Sequence, residues 1–235
     1  MMRIRSLVTF DVRFQWKQRF YHVYLLVCAV YISLLLLLPE AYVDKTIVLL
    51  TFSDPAALGL FFSGGMLLLE REQGIQESLF ATPLRVKEYV IARCLSLSVL
   101  SLAAAYVIHI AVKGWPVSPI AFTLGVLLSS FFFTLLGMCA AVLSHSINGF
   151  LLLSQGFALP FVFPVLGYLN WLPSPLYKLL PTEGSLLLIE GSNQIISLGD
   201  AVYAIIVLLL WIGFAGWWSV SLLQRTIKML DEGKN

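Results

Sequence analysis

The sequence predicts an all-α polytopic membrane protein with six transmembrane helices. Three observations carry that prediction. Hydrophobic residues make up 59% of the 235 and charged ones 12%, against about 45–50% apolar in an ordinary soluble domain. Several apolar runs reach the roughly 20 residues that a helix needs to cross a hydrocarbon core about 30 Å thick. Lys and Arg are split unevenly among the connectors, twelve on one side against three on the other. The alternating, turn-punctuated strands of an outer-membrane barrel are absent from the pattern.

Residues 1–20 are basic and aromatic. Leu7, Phe10, Phe14 and Tyr21 fall near one helical face, with Arg5, Arg13 and Arg19 elsewhere. Lys17 interrupts that stripe and is expected to snorkel. The segment reads as an imperfect amphipathic helix in the membrane surface, with a plain basic tail as the alternative. It lacks the small-residue cleavage pattern of a signal peptide. The first span is expected at 21–38. The second, 47–69, is interrupted by Asp54-Pro55, so its membrane helix is expected to start at Pro55 with Asp54 as N-cap. The third, fourth and fifth are expected at 89–112, 119–143 and 149–169, the fifth kinked by Pro160 and Pro164. The connector 170–200 carries Pro173, Pro175 and Pro181 and an apolar run too short to span. It reads as a short helix or re-entrant hairpin resting on the outer surface. The sixth span is expected at 201–223, followed by the tail 224–235.

Charge sets the orientation. Arg3, Arg5, Arg13, Lys17 and Arg19 precede span one; Arg71, Arg85, Lys87 and Arg93 surround the second connector; Arg225, Lys228 and Lys234 follow span six. The opposite connectors hold only Lys45, Lys113 and Lys178. This positive-inside bias makes both termini and the connector 70–88 cytoplasmic, and the chain a multi-pass protein of the plasma membrane.

The chemistry of an enzyme is missing from the pattern. There is no G-x-S-x-G and no H-E-x-x-H. His22, His109 and His145 lack metal-ligand spacing, so no catalytic residue, metal or cofactor is assigned to this chain. Cys28, Cys94 and Cys139 all fall in or beside apolar runs and read as buried small residues rather than disulfides. Gly59, Gly64 and Gly65 have the spacing of a phosphate loop but lack its Lys and Ser/Thr, and they lie inside span two. Together with Gly137 and the pair Gly213 and Gly216, they read as sites of close helix packing. The middles of the spans carry no ionisable residue on this reading, which weakens a self-contained channel or ion-coupled carrier. A membrane scaffold or an intramembrane enzyme is weakened by the missing constellations. No connector is long enough for a nucleotide-binding domain, so an active transporter would draw its energy from another subunit.

That subunit would grip the connector. Glu70, Glu72 and Glu77 place negative charge in its first part, and Arg85, Lys87 and Arg93 place positive charge in its second. Gly74 is a point where the helix can bend. Ile75 and Leu79, four apart, share a face of a short helix, which Pro83 ends. A solvated loop whose charges keep it out of lipid is the alternative reading.

The segment "LLLEREQGIQESLFATPLRVKEYVIAR", 67–93, resembles the permeases of ABC-2 type transporters, the six-span exporter family. Taken with "SDPAALGLFF", 53–62, it is similar to the branch of fluoroquinolone-export permeases. The resemblance covers nearly the whole chain, 1–235, as a single permease domain. It implies that 70–82 holds a coupling helix for an ATPase subunit, flanked by an interface helix over 3–20 carrying Arg5, Arg13, Lys17 and Arg19. It implies two permease chains, identical or related, and two ABC ATPase subunits that bind the ATP and Mg. Nucleic acid has no place in the assembly, and lipid surrounds it. The pathway would lie between the permeases and carry an amphipathic drug or lipid-like molecule outward. Ser129, Ser130, Thr134, Ser154 and Gln155 are its candidate polar points.

Overall fold

The computed structural model describes residues 2–80 and 84–232. Among them all regular structure is helical, and six helices are long and apolar enough to cross a membrane. The N-terminal helix, α1 (Met2–Lys17), turns through Arg19 in the left-handed conformation, φ 59°, into α2 (Phe20–Leu37). The second span is one rod. It comprises α3 (Glu40–Ala57), a π-helical turn at Leu58–Phe62 and α4 (Ser63–Glu72). After a turn at Gly74, φ 66°, comes the short α5 (Ile75–Phe80). The remaining spans are α6 (Val86–Lys113), α7 (Pro119–Val142), α8 (Ile147–Tyr168) and α10 (Leu198–Glu232). Between the last two lies α9 (Pro181–Ile189).

Local chemistry sets the ends of these helices. Pro119 opens α7 at a position where a missing N–H costs nothing. The Ser146 hydroxyl caps α8 by accepting from Gly149 N at 3.1 Å. Asn170, φ 60°, turns the chain away from α8, and Gly114, φ 84°, does so after α6. The His109 ring, buried at the end of α6, meets Gly114 O at 2.8 Å. α8 runs unbroken through Pro160 and Pro164.

The centre of the bundle is α7. From Phe132 to Ala141 every residue is buried, as expected of a helix apolar on all sides. Helices in lipid gain little from hydrophobic burial against one another, so close approach through small residues decides their packing. Gly59 faces the α7 backbone so closely that a Cβ there would sit 2.7 Å from Thr134 N. Gly137 faces the π-helical turn, where a Cβ would lie 2.8 Å from Gly59 O and 2.5 Å from Ser63 Oγ. The Ser63 hydroxyl reaches Thr134 O at 2.9 Å. Gly64 lies against the Phe150 ring. Gly65 and Gly213 have nothing within 4 Å of a built Cβ, and Gly216 meets only a Leu135 methyl at 3.7 Å, so these three do not serve close packing. Phe132, Phe161 and Trp211 form an edge-to-face cluster that joins α7, α8 and α10. All three cysteines are buried and free.

Two expectations need correction. Asp54 is not an N-cap. The helix is continuous from Glu40 to Glu72, 33 residues, because Pro55 falls inside a segment whose neighbours hold it helical. Asp54 stands ten residues beyond Asp44 and sixteen before Glu70, roughly 15 Å and 24 Å at 1.5 Å per residue. It is therefore an acid in the middle of span two, 3% exposed, and Tyr24 of α2 donates its hydroxyl to it. The other correction concerns α9: the short helix expected in the connector is present, but it is buried among its neighbours rather than laid on an outer surface. Pro181, Thr182, Gly184, Ser185, Leu186, Leu188 and Ile189 are all buried. Gly184 lets α9 approach Ala204 of α10, and Gly125 lets it approach Ile189 N from α7. Its C-terminal 3-10 turn accepts backbone N–H groups from Val117 and Ser118 at 3.1 and 2.7 Å. The segment is a wedge between spans.

Candidate coupling site and a groove between spans

Three segments meet at the end of the bundle that holds both termini. The first is α1. Its buried face is Asp11, Phe14 and Gln15, seated on α6, while Arg5, Arg13, Lys17 and Arg19 are exposed. Lys17 sits on the open face, and Leu7 and Phe10 of the expected stripe are half-buried. The second segment is the last turn of α4 with Glu70, and the third is the first two turns of α6.

Arg93 joins all three. Its Nη2 lies 2.5 Å from Glu70 Oε1 and its Nε 3.3 Å from Asp11 Oδ2. Tyr89, one turn earlier on α6, donates its hydroxyl to Glu70 Oε2 at 2.5 Å and accepts from Arg93 Nη2 at 3.0 Å. Ser96 donates to Asp11 at 3.2 Å and accepts from Gln15 at 3.2 Å. Arg93 and Glu70 are completely enclosed. Two carboxylates thus share one guanidinium in a place closed to water. Burial pushes the Asp11 carboxyl above its usual range, against the opposing pull of Arg93.

Beyond Glu70 the chain becomes accessible. Glu72 and Gly74 are exposed and Ile75 is half-buried. Leu79 is half-buried and packs against the chain's own core. Gln76 folds back to donate to Leu67 O at 3.2 Å, which ties α5 to α4. Arg71 reaches Ser144 O past the end of α7 at 3.3 Å. The side chain of Glu77 and the whole of Pro83 lie outside the described residues. The seven connector residues therefore separate by depth: Glu70 is an internal anchor, whereas Glu72, Gly74 and Ile75 reach the surface.

The five candidate pathway residues also separate. Ser129 bonds Gly125 O at 2.5 Å in its own helix, and Ser154 bonds Leu151 O at 2.9 Å. Ser130 and Thr134 are fully buried. These four are enclosed within one chain. Gln155 is exposed mid-span and lines an open groove of about 400 Å³ with Ser53, Phe52, Phe61, Phe133 and Phe161. The groove lies between span two, α7 and α8 and is apolar apart from those two polar side chains.

A model of the Fluoroquinolones export permease protein family matches residues 2–229. The chain belongs to that family. It is 26% identical to the fluoroquinolones export permease proteins of Mycobacterium tuberculosis strains CDC 1551 / Oshkosh and ATCC 25618 / H37Rv, over 199 residues that cover 84% of each chain. A member of this family with six apolar helices is a multi-pass membrane protein with the role of a transport permease. The match spans α1, the Arg93 cluster, the connector and the groove alike.

Sequence reasoning placed Glu70 and Arg93 among the solvated charges of a connector and did not consider Asp11 at all. A signal for the cluster was present. Asp11 is the only acidic residue before Glu40 in a basic, apolar segment. Tyr89 and Arg93 stand at the i, i+4 spacing that puts both on one helical face.

Proposed function

We propose that the chain is the transmembrane subunit of an ABC exporter, driven by a separate ATPase subunit that binds ATP and Mg. Both termini and the connector are then cytoplasmic, in line with the distribution of Lys and Arg. Two permease chains and two ATPase subunits make up the assembly. The observation that carries this reading is the break at Gly74. It ends a 33-residue span in a short helix whose root is pinned by Arg93 to α1. A short helix with a rigid root passes a push from a docked ATPase into spans two and three. Glu72 at the end of α4 and Ile75 at the start of α5 form the accessible edge. The substrate class is an amphipathic drug. The M. tuberculosis relatives are named for fluoroquinolones, and the aromatic groove with Gln155 and Ser53 suits a flat apolar body with a hydrogen-bonding edge. That groove forms one wall of the pathway and the partner permease the other.

The test uses Glu72→Arg with Ile75→Asp. Leu79 is left alone because it also packs internally. The variant inserts and expresses normally but no longer co-purifies with the ATPase subunit, or leaves its ATP hydrolysis unresponsive to substrate. Normal assembly and export by this variant overturn the docking edge.

One observation favours a second reading, a carrier that runs on its own. Asp54 is an intramembrane acid, and such groups mark ion and proton pathways. Drug efflux from proteoliposomes holding the pure chain, driven by a proton gradient and lost in Asp54→Asn, selects that reading over the first.

A further inference from the structure

We infer that a furrow between α6, α7 and α10 binds one anionic phospholipid, drawn from the leaflet at the end that holds both termini. The furrow encloses about 630 Å³, within the roughly 300–1,000 Å³ typical of small-molecule sites. It runs along α10 from Gln224 to Ile212, roughly 18 Å by helical rise. Half of a bilayer core of about 30 Å is about 15 Å, so the furrow is one leaflet deep.

Its polarity follows the same axis. Lys87 and Gln224 lie at the end nearest the termini, both exposed. Further in, the lining is Ile91, Cys94, Leu135 and Ile212. Gly213 and Gly216 form an open floor, in contrast to the glycines that seat α7. Among the described residues neither Lys87 nor Arg225 has an ion-pair partner. Arg225 borders a neighbouring furrow that shares Trp217 and Ser221 with this one. Unpaired cations at headgroup level above an apolar slot match a phosphate with an acyl chain beneath it. A second copy of the chain fits poorly. A two-fold contact presents the same patch from both sides, and here it brings like charges at Lys87 and Arg225 together.

The experiment is native mass spectrometry of the purified chain in detergent, titrated with phosphatidylglycerol or phosphatidylcholine of identical acyl chains. It needs no ATPase and no substrate, so its outcome is independent of the exporter reading. The chain retains one phosphatidylglycerol in preference to phosphatidylcholine. Lys87→Gln weakens phosphatidylglycerol about fivefold, the worth of one cation at an anionic surface, and leaves phosphatidylcholine unchanged. Gly213→Leu with Gly216→Leu fills the slot and weakens both lipids, while thermal unfolding reports that the variant is folded. Equal binding of the two lipids, an unchanged preference in Lys87→Gln, or cross-linking of two copies through Gly213→Cys overturns the assignment.

Discussion

Arg93 and Glu70 meet at 2.5 Å with neither side chain open to water. Glu70 ends the apolar part of span two and Arg93 lies in the second turn of span three, 23 residues apart across the connector. The pair closes the base of a loop. Because Asp11 shares the same guanidinium, α1 is fastened at the same point.

Breaking this cluster on one side should cost far more than neutralising it. Arg93→Ala leaves two buried carboxylates without their cation, an effect of about 3–5 kcal/mol. The triple variant Asp11→Asn, Glu70→Gln, Arg93→Met should be clearly more stable than Arg93→Ala alone. Thermal unfolding in detergent, followed by fluorescence-detected size exclusion, ranks the two.

Asp11 should make docking of α1 depend on pH. Its carboxyl is raised above its ordinary 3.8 because burial disfavours the charge more than Arg93 favours it. The folded chain then holds a proton that the unfolded chain releases, so stability falls as pH rises through and beyond that value. The Glu70 carboxylate at the same guanidinium pushes in the same direction as burial, and the hydrogen bond from Ser96 opposes it. A pH series of unfolding temperatures should slope downward for the natural chain and be flatter for Asp11→Asn.

Tyr24 and Asp54 should be strongly coupled. Tyr24→Phe removes the phenol from a carboxyl enclosed in the bundle, which leaves a buried acceptor unmet at about 1–3 kcal/mol. Pairing Tyr24→Phe with Asp54→Leu should recover much of that loss. A double-mutant cycle on unfolding temperature measures the interaction, and simple additivity of the two single variants would refute it.

Glycines of spans two and four should differ sharply in tolerance. Gly137→Leu drives a side chain into the backbone of the π-helical turn, and Gly64→Leu drives one into the Phe150 ring. Both should lower the yield of folded protein severely. Gly65→Leu points into open space and should express like the natural chain.

The spans themselves were legible because length and apolarity are local properties of the chain. Phe20–Leu37 was expected at 21–38, and Pro119–Val142 at 119–143. What stayed hidden depends on partners distant in the sequence. Asp54-Pro55 has the local grammar of a helix start, and only packing against α2 and α7 keeps the helix continuous through it. The run 186–189 is too short to cross a membrane, and nothing local says that Gly125 and Gly184 open a seat for it. Charge misled at Glu70 and Arg93, since a residue type that usually faces water was counted as though it always does. Asp11 finds its cation 82 residues away, at a separation where single-chain periodicity carries no information.

The π-helical turn at Leu58–Phe62 acts as an angular gear. Each residue of an α-helix advances the azimuth by about 100°, and a π turn holds one residue more than its α counterpart. The turn therefore sets the rotational phase between Asp54, which must face Tyr24, and Glu70, which must face Arg93. Rewinding the turn to an α-helix without removing a residue would swing one acid about a quarter-turn from its partner, whereas deleting a single residue there would leave the two nearly in phase. The two polar fixings on this rod stay in phase only because the helix between them is locally underwound.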